Sequence, residues 1–147
     1  MSVEYTAVAE QIVTLGNNVL LTEDVIACRK GYVGHRNGSG LIELRGITNN
    51  CKARYVITFS GNIAVADTAG GTAEEIAVAL SINGEAIPSS IRRYTPTATE
   101  AYGSVSATEI VDVARGTEIT IAIKNVSEGA TTTIQAQNFS VVIERLA

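Results

Sequence analysis

Residues 76–90, IAVALSINGEAIPSS, decide the fold class of this chain. Large apolar side chains alternate here with alanine and serine, which is the period of a β-strand: Ile76, Val78, Leu80 and Ile82. The Asn83-Gly84 pair that follows supplies the positive φ angles of a tight type I′ turn. Residues 73–80 also contain good helix formers, so a helix is the competing interpretation. The alternation that leads directly into Asn-Gly favours a β-hairpin, with Asn83 and Gly84 as turn-defining residues.

The same alternation recurs in three further segments, namely RYVITFSG (54–61), TEITIAIKN (117–125) and FSVVIERLA (139–147). Clusters of glycine and asparagine separate the segments at intervals of about ten residues. No helical segment is long enough to cross over a parallel sheet. The sequence therefore predicts an all-β, antiparallel β-sandwich or barrel with about eight to ten strands.

The composition is that of a folded globular chain without a nucleic-acid surface. Of the 147 residues, 46% are hydrophobic and 18% charged, and the net charge is −4. The 11 basic residues are scattered and form no basic stripe interleaved with aromatics, so we expect no nucleic-acid partner. The opening residues carry Glu4 and Glu10 and lack a continuous apolar run. They therefore predict neither a secretory signal nor a membrane span, and synthesis in the cytoplasm is expected.

The second faces of two predicted strands suggest an oligomer. In residues 76–82 and 119–124 the second face holds mainly Ala, Thr and Ser, which pack well but solvate poorly. This surplus suggests a symmetric oligomer that buries one whole sheet.

Cys28 and Cys51 lie near predicted strand ends, where they are able to approach each other. Reduced thiols are nevertheless the expectation for a cytoplasmic product.

The glycine-rich stretch GYVGHRNGSG, residues 31–40, contains His35, the only histidine of the chain. One histidine without a Gly-x-Ser-x-Gly elbow gives no hydrolase triad, and one histidine does not furnish a metal site. The stretch leads into LIELRG, a predicted strand, whereas phosphate loops lead into a helix. We therefore predict a turn in which Asn37, Gly38 and Gly40 take positive φ angles. His35 and Arg36 then either hydrogen-bond neighbouring carbonyls or contact a neighbouring subunit.

The remaining candidate residues give weak signals. Asp67, with the following Glu74-Glu75, allows a weak surface calcium site, although a solvated loop is the simpler interpretation. Asp112 is interpreted as a charge that protects a strand edge rather than as a catalytic acid. The few aromatic side chains are expected to fill the core and subunit interfaces. The subunit-interface candidates are Tyr55, Phe59, Phe139, His35 and Arg36. No catalytic residue, metal ligand or cofactor is predicted.

The order of these features resembles the compact jelly-roll modules of the tumour-necrosis-factor and complement globular-head type, in the forms found in phage and Firmicutes genomes. The matching segments are GNNVLLTE (16–23), HRNGSG (35–40), LIELRGIT (41–48), ARYVITFSGNIAV (53–65), the hairpin at 76–90, VDVARGTEITIAIKN (111–125) and FSVVIERLA (139–147). The strongest single match is ALSINGEAIPSS (79–90), which looks like that superfamily's strand, Asn-Gly, strand segment.

The resemblance implies a ten-stranded jelly roll that forms a tight homotrimer with one sheet of each subunit facing inward. It implies a non-catalytic role and divides the chain into an N-terminal anchoring segment, residues 1–12, and a jelly-roll domain, residues 13–147. The expected function is a phage virion structural protein, either a capsid decoration or a short head fibre. The expected location is the capsid surface of the virion, after synthesis in the host cytoplasm. Its expected partners are the major capsid protein or another virion component, with no membrane.

A receptor- or carbohydrate-binding head of a phage fibre or bacterial surface protein is the alternative. Such a head would use the loops at residues 67–75 or 94–102.

Overall fold

The computed structural model describes residues 2–28, 30–66, 74–128 and 133–146. It confirms an antiparallel two-sheet β-sandwich. The strands are β1 Ser2–Ala7, β2 Gln11–Val13, β3 Glu23–Ile26, β4 Val33–His35, β5 Ile42–Arg45, β6 Lys52–Val65, β7 Ile76–Ile82, β8 Glu85–Ala86, β9 Arg92–Tyr94, β10 Gly103–Ala114, β11 Glu118–Asn125 and β12 Ile134–Arg145. These segments outnumber the predicted eight to ten because β2, β4, β8 and β9 have only two or three residues each.

The strands form two sheets whose order differs from their order along the chain. Sheet 1 has the order β10-β6-β12-β1-β3, and β2 also pairs with β12. Sheet 2 has the order β4-β5-β11-β7-β8, and β9 also pairs with β7. A 3-10 helix at Pro88–Ser90 connects β8 to β9. In the described part of the chain, no helix has the length and apolar character needed to cross a membrane.

The hairpin predicted from residues 76–90 is present, and the competing helix is wrong. Ile82 pairs with Glu85 across the turn, and Asn83 and Gly84 have φ angles of 50° and 89°. The side-chain Oδ1 of Asn83 also accepts a hydrogen bond from the backbone N–H of Thr120, 3.0 Å away. Asn83 therefore both shapes the turn and fixes it to the neighbouring strand β11.

The core lies between the inward faces of the two sheets, and it contains three of the predicted interface residues. Tyr55, Phe59 and Phe139 are all buried within the single chain. The hydroxyl of Tyr55 lies 2.6 Å from the backbone oxygen of Arg45. These three side chains have no surface left for a neighbouring subunit, so their assignment to an interface is wrong. Their burial stabilises the monomer instead, by about 1.5–3 kcal/mol for a large side chain.

Residues 1–12 are not a separate anchoring segment in the structure. Strand β1 is an inner strand of sheet 1, and it pairs with β12 in continuous register from Ser2↔Glu144 to Ala7↔Phe139. Alternate residues of β1 are buried in the core, while β2 adds three residues beside the other end of β12. The sandwich domain therefore includes β1 and β2, because their inward residues complete the core.

The small residues on the outward face of sheet 2 are also not the open surface that the sequence suggested. Ala77, Ala79, Ser81 and Ala122 are buried in the single chain. The hydroxyl of Ser81 donates a hydrogen bond to the backbone oxygen of Ala122, 3.3 Å away. This part of sheet 2 is therefore covered by the chain itself and offers no free face to an oligomer.

Both cysteines are free thiols, as expected for the reduced protein. Cys51 is exposed and Cys28 is half-buried. Burial alone would raise the pKa of the Cys28 thiol. Hydrogen bonds from backbone N–H groups, those of Val33 and Lys30 first, outweigh that effect and bring the pKa below its usual value.

Phe139 packs so closely against Gly61 that a larger residue does not fit there. A Cβ atom on Gly61 would lie 2.5 Å from the Phe139 ring. We expect Gly61→Ala to lower the free energy of unfolding by about 1–3 kcal/mol, because the ring must leave its position. Ser60→Ala, at the neighbouring exposed position, is the matched control and should remain close to wild type in urea denaturation. Equal stability of the two variants would contradict this packing.

Candidate functional site

The outward face of sheet 1 is formed by alternate residues of β10, β6, β12 and β1. Thr108, Thr58 and Val142 lie side by side in the register of the sheet. Ile110 and Val56 form the neighbouring row. Because paired residues of antiparallel strands point to the same side, these five side chains form one surface, called here the assembly face.

The assembly face combines exposed apolar side chains with hydroxyl groups, and Glu144 and Glu4 lie beside Val56 and Val142 in the register of the sheet. Ile110 is 63% exposed and Val142 38% exposed. The Oγ1 atoms of Thr58 and Thr108 are 3.0 Å apart and hydrogen-bond each other. On β1, the carboxylate of Glu4 accepts a hydrogen bond from Ser140 at 3.1 Å. Such a surface is suited to packing against another surface, because it offers exposed apolar side chains for contact.

An ion pair and a tyrosine–glutamate contact lie at opposite ends of this side of sheet 1. At one end, the Nε of Arg54 is 2.8 Å from the Oδ1 of Asp112, on edge strand β10. This position is consistent with the predicted role of Asp112 at a strand edge. At the other end, the hydroxyl of Tyr102 donates to a carboxylate oxygen of Glu10 at 2.6 Å. Burial, together with Glu10, raises the pKa of Tyr102 well above its usual value.

The side chain of His35 is fully buried, so it does not contact a neighbouring subunit. Its Nδ1 lies 2.6 Å from the Oδ1 of Asp24 and its Nε2 lies 2.8 Å from the backbone oxygen of Ser39. The ring of Tyr5 lies against it, with 4.5 Å between the ring centroids. Of the two roles considered for His35, hydrogen bonding to a neighbouring carbonyl is the one that the structure shows.

Arg36 is exposed, in contrast to the buried side chain of His35 beside it. It lines an open groove of about 740 Å³ together with Glu43 and Arg45. The guanidinium of Arg45 is already engaged, because it donates to Glu43 at 2.7 Å and to Glu118 at 3.2 Å. Arg36 is therefore the one predicted interface residue whose side chain remains available at the surface.

The glycines of this turn have two different roles. Gly38 has a φ of 88°, as predicted. Asn37 and Gly40 do not have positive φ angles, so that part of the prediction is wrong. Gly40 is required by a close approach instead, because a Cβ there would lie 2.8 Å from the Cβ of Asn18.

The other predicted candidates lie apart from the assembly face or outside the described residues. Asp67, and with it the centre of the weak calcium site, lies outside the described residues. Glu75 accepts a hydrogen bond from Arg93 at 3.1 Å. In the described part of the chain, no three His, Cys, Asp or Glu side chains lie close enough together to hold a metal ion.

The residues of the assembly face were not selected from the sequence, although one of them is visible there. In SVSATEIVDV (104–113), Ser104, Ser106 and Thr108 occupy the outward positions, and Ile110 is the next outward residue. A large apolar residue in a series of hydroxyl residues on the solvent side is the signal. Aromatic residues were considered first, and these lie on the inward face.

No family model matches the chain, and no curated protein matches it. Solved structures match over nearly the whole length. The Eiger TNF of S. frugiperda has a TM-score of 0.68 at 9% identity, covering 100% of this chain and 92% of that one. The globular domain of the zebrafish complement 1qA protein has a TM-score of 0.54 at 7% identity, with 99% and 94% covered. Murine APRIL at pH 8.0 has 0.54 at 12% identity, with 97% of each chain covered. The chain thus has the jelly-roll fold of the tumour-necrosis-factor and complement globular-head type.

The Arg54–Asp112 ion pair makes a prediction about acid stability. The Arg54 guanidinium holds the pKa of Asp112 below its usual value. The contribution of the pair is therefore complete above the ordinary aspartate range and is lost as the pH falls through the lowered pKa. We expect Asp112→Asn to be slightly less stable than wild type at pH 7, because exposed pairs contribute little. The difference in urea midpoint between wild type and Asp112→Asn should disappear in acid, where the Asp112 carboxylate is protonated. A difference that persists in acid would exclude the ion pair as its cause.

Proposed function

We propose that this chain is a non-catalytic structural module that assembles as a homotrimer through the assembly face, and that it serves in a phage virion as a capsid decoration or a short head fibre. The observation that supports assembly is the exposure of the apolar side chains Ile110 and Val142 on one face of sheet 1, next to the hydroxyls of Thr58 and Thr108. The jelly-roll fold adds support, because the resemblance to trimeric modules implies that one sheet of each subunit faces inward.

Sheet 1 is the sheet that fits this inward position. The small outward residues of β7 in sheet 2 are already covered by the chain itself. On sheet 1, Ile110 retains most of its surface, and burying a side chain of that size stabilises an interface by about 1.5–3 kcal/mol. In a threefold assembly each such contact occurs three times. A second copy of the same chain is the proposed occupant: the interface of a threefold ring is heterologous, so the assembly face of one subunit packs against the adjoining surface of the next.

A non-catalytic role is supported by the position of His35. Both ring nitrogens are engaged, one with Asp24 and the other with the backbone oxygen of Ser39. The ring is buried and is therefore not free to take a proton from a substrate. The chain contains no second histidine that would serve as the base instead.

The virion role rests on the resemblance to phage forms of this fold and on the multivalent binding that a symmetric trimer allows. Three identical subunits at a threefold position of a capsid lattice bind through three contacts at once, so each single contact need only be weak. The major capsid protein, or another virion component, is the partner in this proposal.

The trimer is tested by light scattering after size exclusion. We expect a mass about three times the 15.4 kDa of the chain. Ile110→Asp should shift the protein to the monomer, because it replaces the most exposed apolar side chain of the assembly face by a charge. Leu41→Asp is the matched control, since Leu41 is also apolar and 47% exposed but lies outside the assembly face, and this variant should remain a trimer. A wild-type monomer would refute the proposal, and a trimeric Ile110→Asp would refute the choice of face.

The virion role is tested separately from the trimer. If the proposal holds, genes for capsid, portal or terminase proteins lie beside the gene for this chain, and mass spectrometry of purified particles detects the protein. Metabolic or sporulation neighbours would overturn the virion role and leave the trimer untouched.

A binding head is the second candidate, and the open groove beside Arg36 is the observation that favours it. The loop at residues 94–102 is less suitable, because the hydroxyls of Tyr94 and Tyr102 are engaged with Ala101 and Glu10. A glycan array distinguishes the two functions. Strong binding that Arg36→Ala abolishes would identify a binding head, whereas the absence of binding agrees with the structural role.

A further inference from the structure

His35 and Asp24 connect the two sheets at one side of the sandwich. His35 is the last residue of β4, which is the edge strand of sheet 2. Asp24 belongs to β3, which is the edge strand of sheet 1. Strand β3 is exposed along its whole length. The 2.6 Å contact between Nδ1 and Oδ1 is therefore a direct polar connection between two sheet edges.

The partners of the ring determine how many protons it holds. A backbone carbonyl oxygen only accepts hydrogen bonds, so the Nε2 facing Ser39 must carry a hydrogen. The Nδ1 faces a carboxylate, which also accepts when it is ionised. A second proton must therefore lie between Nδ1 and Asp24. If it were absent, a nitrogen lone pair and a carboxylate lone pair would face each other at 2.6 Å.

That second proton belongs to the imidazole ring. A free aspartic acid loses its proton near pH 3.9 and a free imidazolium near pH 6.5, as order-of-magnitude references. The Asp24 side chain is 27% exposed and is thus partly solvated, whereas burial of the His35 ring opposes its charge and is offset by the two acceptors that contact its nitrogens. The pair is then an imidazolium and a carboxylate joined by a short, charge-assisted hydrogen bond.

We propose that His35 and Asp24 form a proton-dependent clasp, in which His35 remains an imidazolium in the folded protein at neutral pH and its deprotonation loosens the connection between the two sheet edges. The assembly face does not include either residue. The proposal therefore stands independently of the proposed function.

The other groups around the ring are Tyr5 and the residues of the open groove. Tyr5 packs against His35, and its pKa is raised to about 12 by burial first, then by the negative charges of Asp24 and Cys28. On the outer side, Arg36 lines the same groove as His35, as do Glu43 and Arg45, which are paired with each other. Among these neighbours, Asp24 is the carboxylate in contact with the ring.

Loss of the clasp would first affect the backbone pairing beside it. The backbone N–H of Leu21 donates to the backbone oxygen of Ser39 at 3.1 Å, and that of Gly38 donates to Leu21 at 2.9 Å. Ser39 is also the residue whose carbonyl oxygen holds the Nε2 of His35. When the ring turns away, this carbonyl loses one of its two donors, and the pairing of the turn with Leu21 weakens.

Nitrogen NMR of the histidine ring tests the proposal on the wild-type protein. The chain has one histidine, so selective labelling gives one unambiguous set of ring signals. At pH 7.5 we expect both ring nitrogens to be protonated in the folded protein, and a mostly neutral ring in the same sample unfolded with urea. A neutral single tautomer in the folded protein at this pH would overturn the proposal.

The pH dependence of stability gives a second, independent test. Above about pH 6.5 the folded state holds a proton that the unfolded chain releases, so stability is fully present below that pH and falls as the pH rises. The unfolding equilibrium constant of the wild type should then rise by up to about tenfold per pH unit between about pH 6.5 and 8.5, as long as the ring stays protonated.

Asp24→Asn is the matched variant, because the asparagine amide donates to a neutral Nδ1 and removes the need for the second proton. We expect its unfolding constant to change much less than that of the wild type over this range. Titration of Cys28 occurs in both proteins and cancels in their difference. Parallel pH profiles of the two proteins would overturn the clasp. Amide hydrogen exchange at Leu21 and Gly38 gives a local measurement. In the wild type the exchange rates should rise with pH more steeply than the intrinsic exchange rates do. In Asp24→Asn they should follow the intrinsic rates.

Discussion

The structure depends on the burial of one face of each long strand between the two sheets. In β6 and β12 the alternation places Tyr55, Phe59 and Phe139 inward, where they fill the space between the sheets. Gly61 is small enough to let the Phe139 ring lie directly against the backbone. Once these inward positions are occupied, the outward positions of the same strands are free to carry another function. On sheet 1 the outward positions hold small hydroxyl residues and a few branched apolar ones. Inward residues of these strands therefore form the core, and outward residues form the assembly face.

Local features of the fold were predictable from the sequence, and features that join distant segments were not. The hairpin at Asn83-Gly84 and the alternation of the long strands depend on neighbouring residues, and both are present. Period-2 alternation separates the two faces of a strand but does not say how far each face is covered, so the aromatic residues were assigned to an interface that they cannot reach. Strand β1 was missed because the resemblance assigned residues 1–12 to an anchoring segment, although Val3, Tyr5 and Ala7 already alternate with polar residues there. The contact of His35 with Asp24 has no local signature, because it requires two edge strands from different sheets to meet.

The assembly face lies on sheet 1, whereas the clasp joins an edge strand of sheet 1 to an edge strand of sheet 2. The assembly face lies on β10, β6 and β12, whereas Asp24 lies on β3, beyond β1. A change of protonation at His35 therefore acts on the edge of the sheet rather than on the contact surface itself. In the proposed trimer, this edge lies outside the contact surface between the subunits. The exposed Arg36 lies in the same turn, so the groove beside it belongs to this pH-sensitive side of the molecule.

The pairing of β1 with β12 has a consequence for how the chain folds. The hydrogen bond from Ser140 to Glu4 joins residues 136 positions apart, and β12 lies between β6 and β1 in the finished sheet. During synthesis, β1 has no partner on that side until β12 has left the ribosome. Contacts between such distant segments close late and slowly, because the loop entropy is lost before the contact forms. Until then the edges of β6 and β1 that pair with β12 are unpaired, and unpaired strand edges promote aggregation.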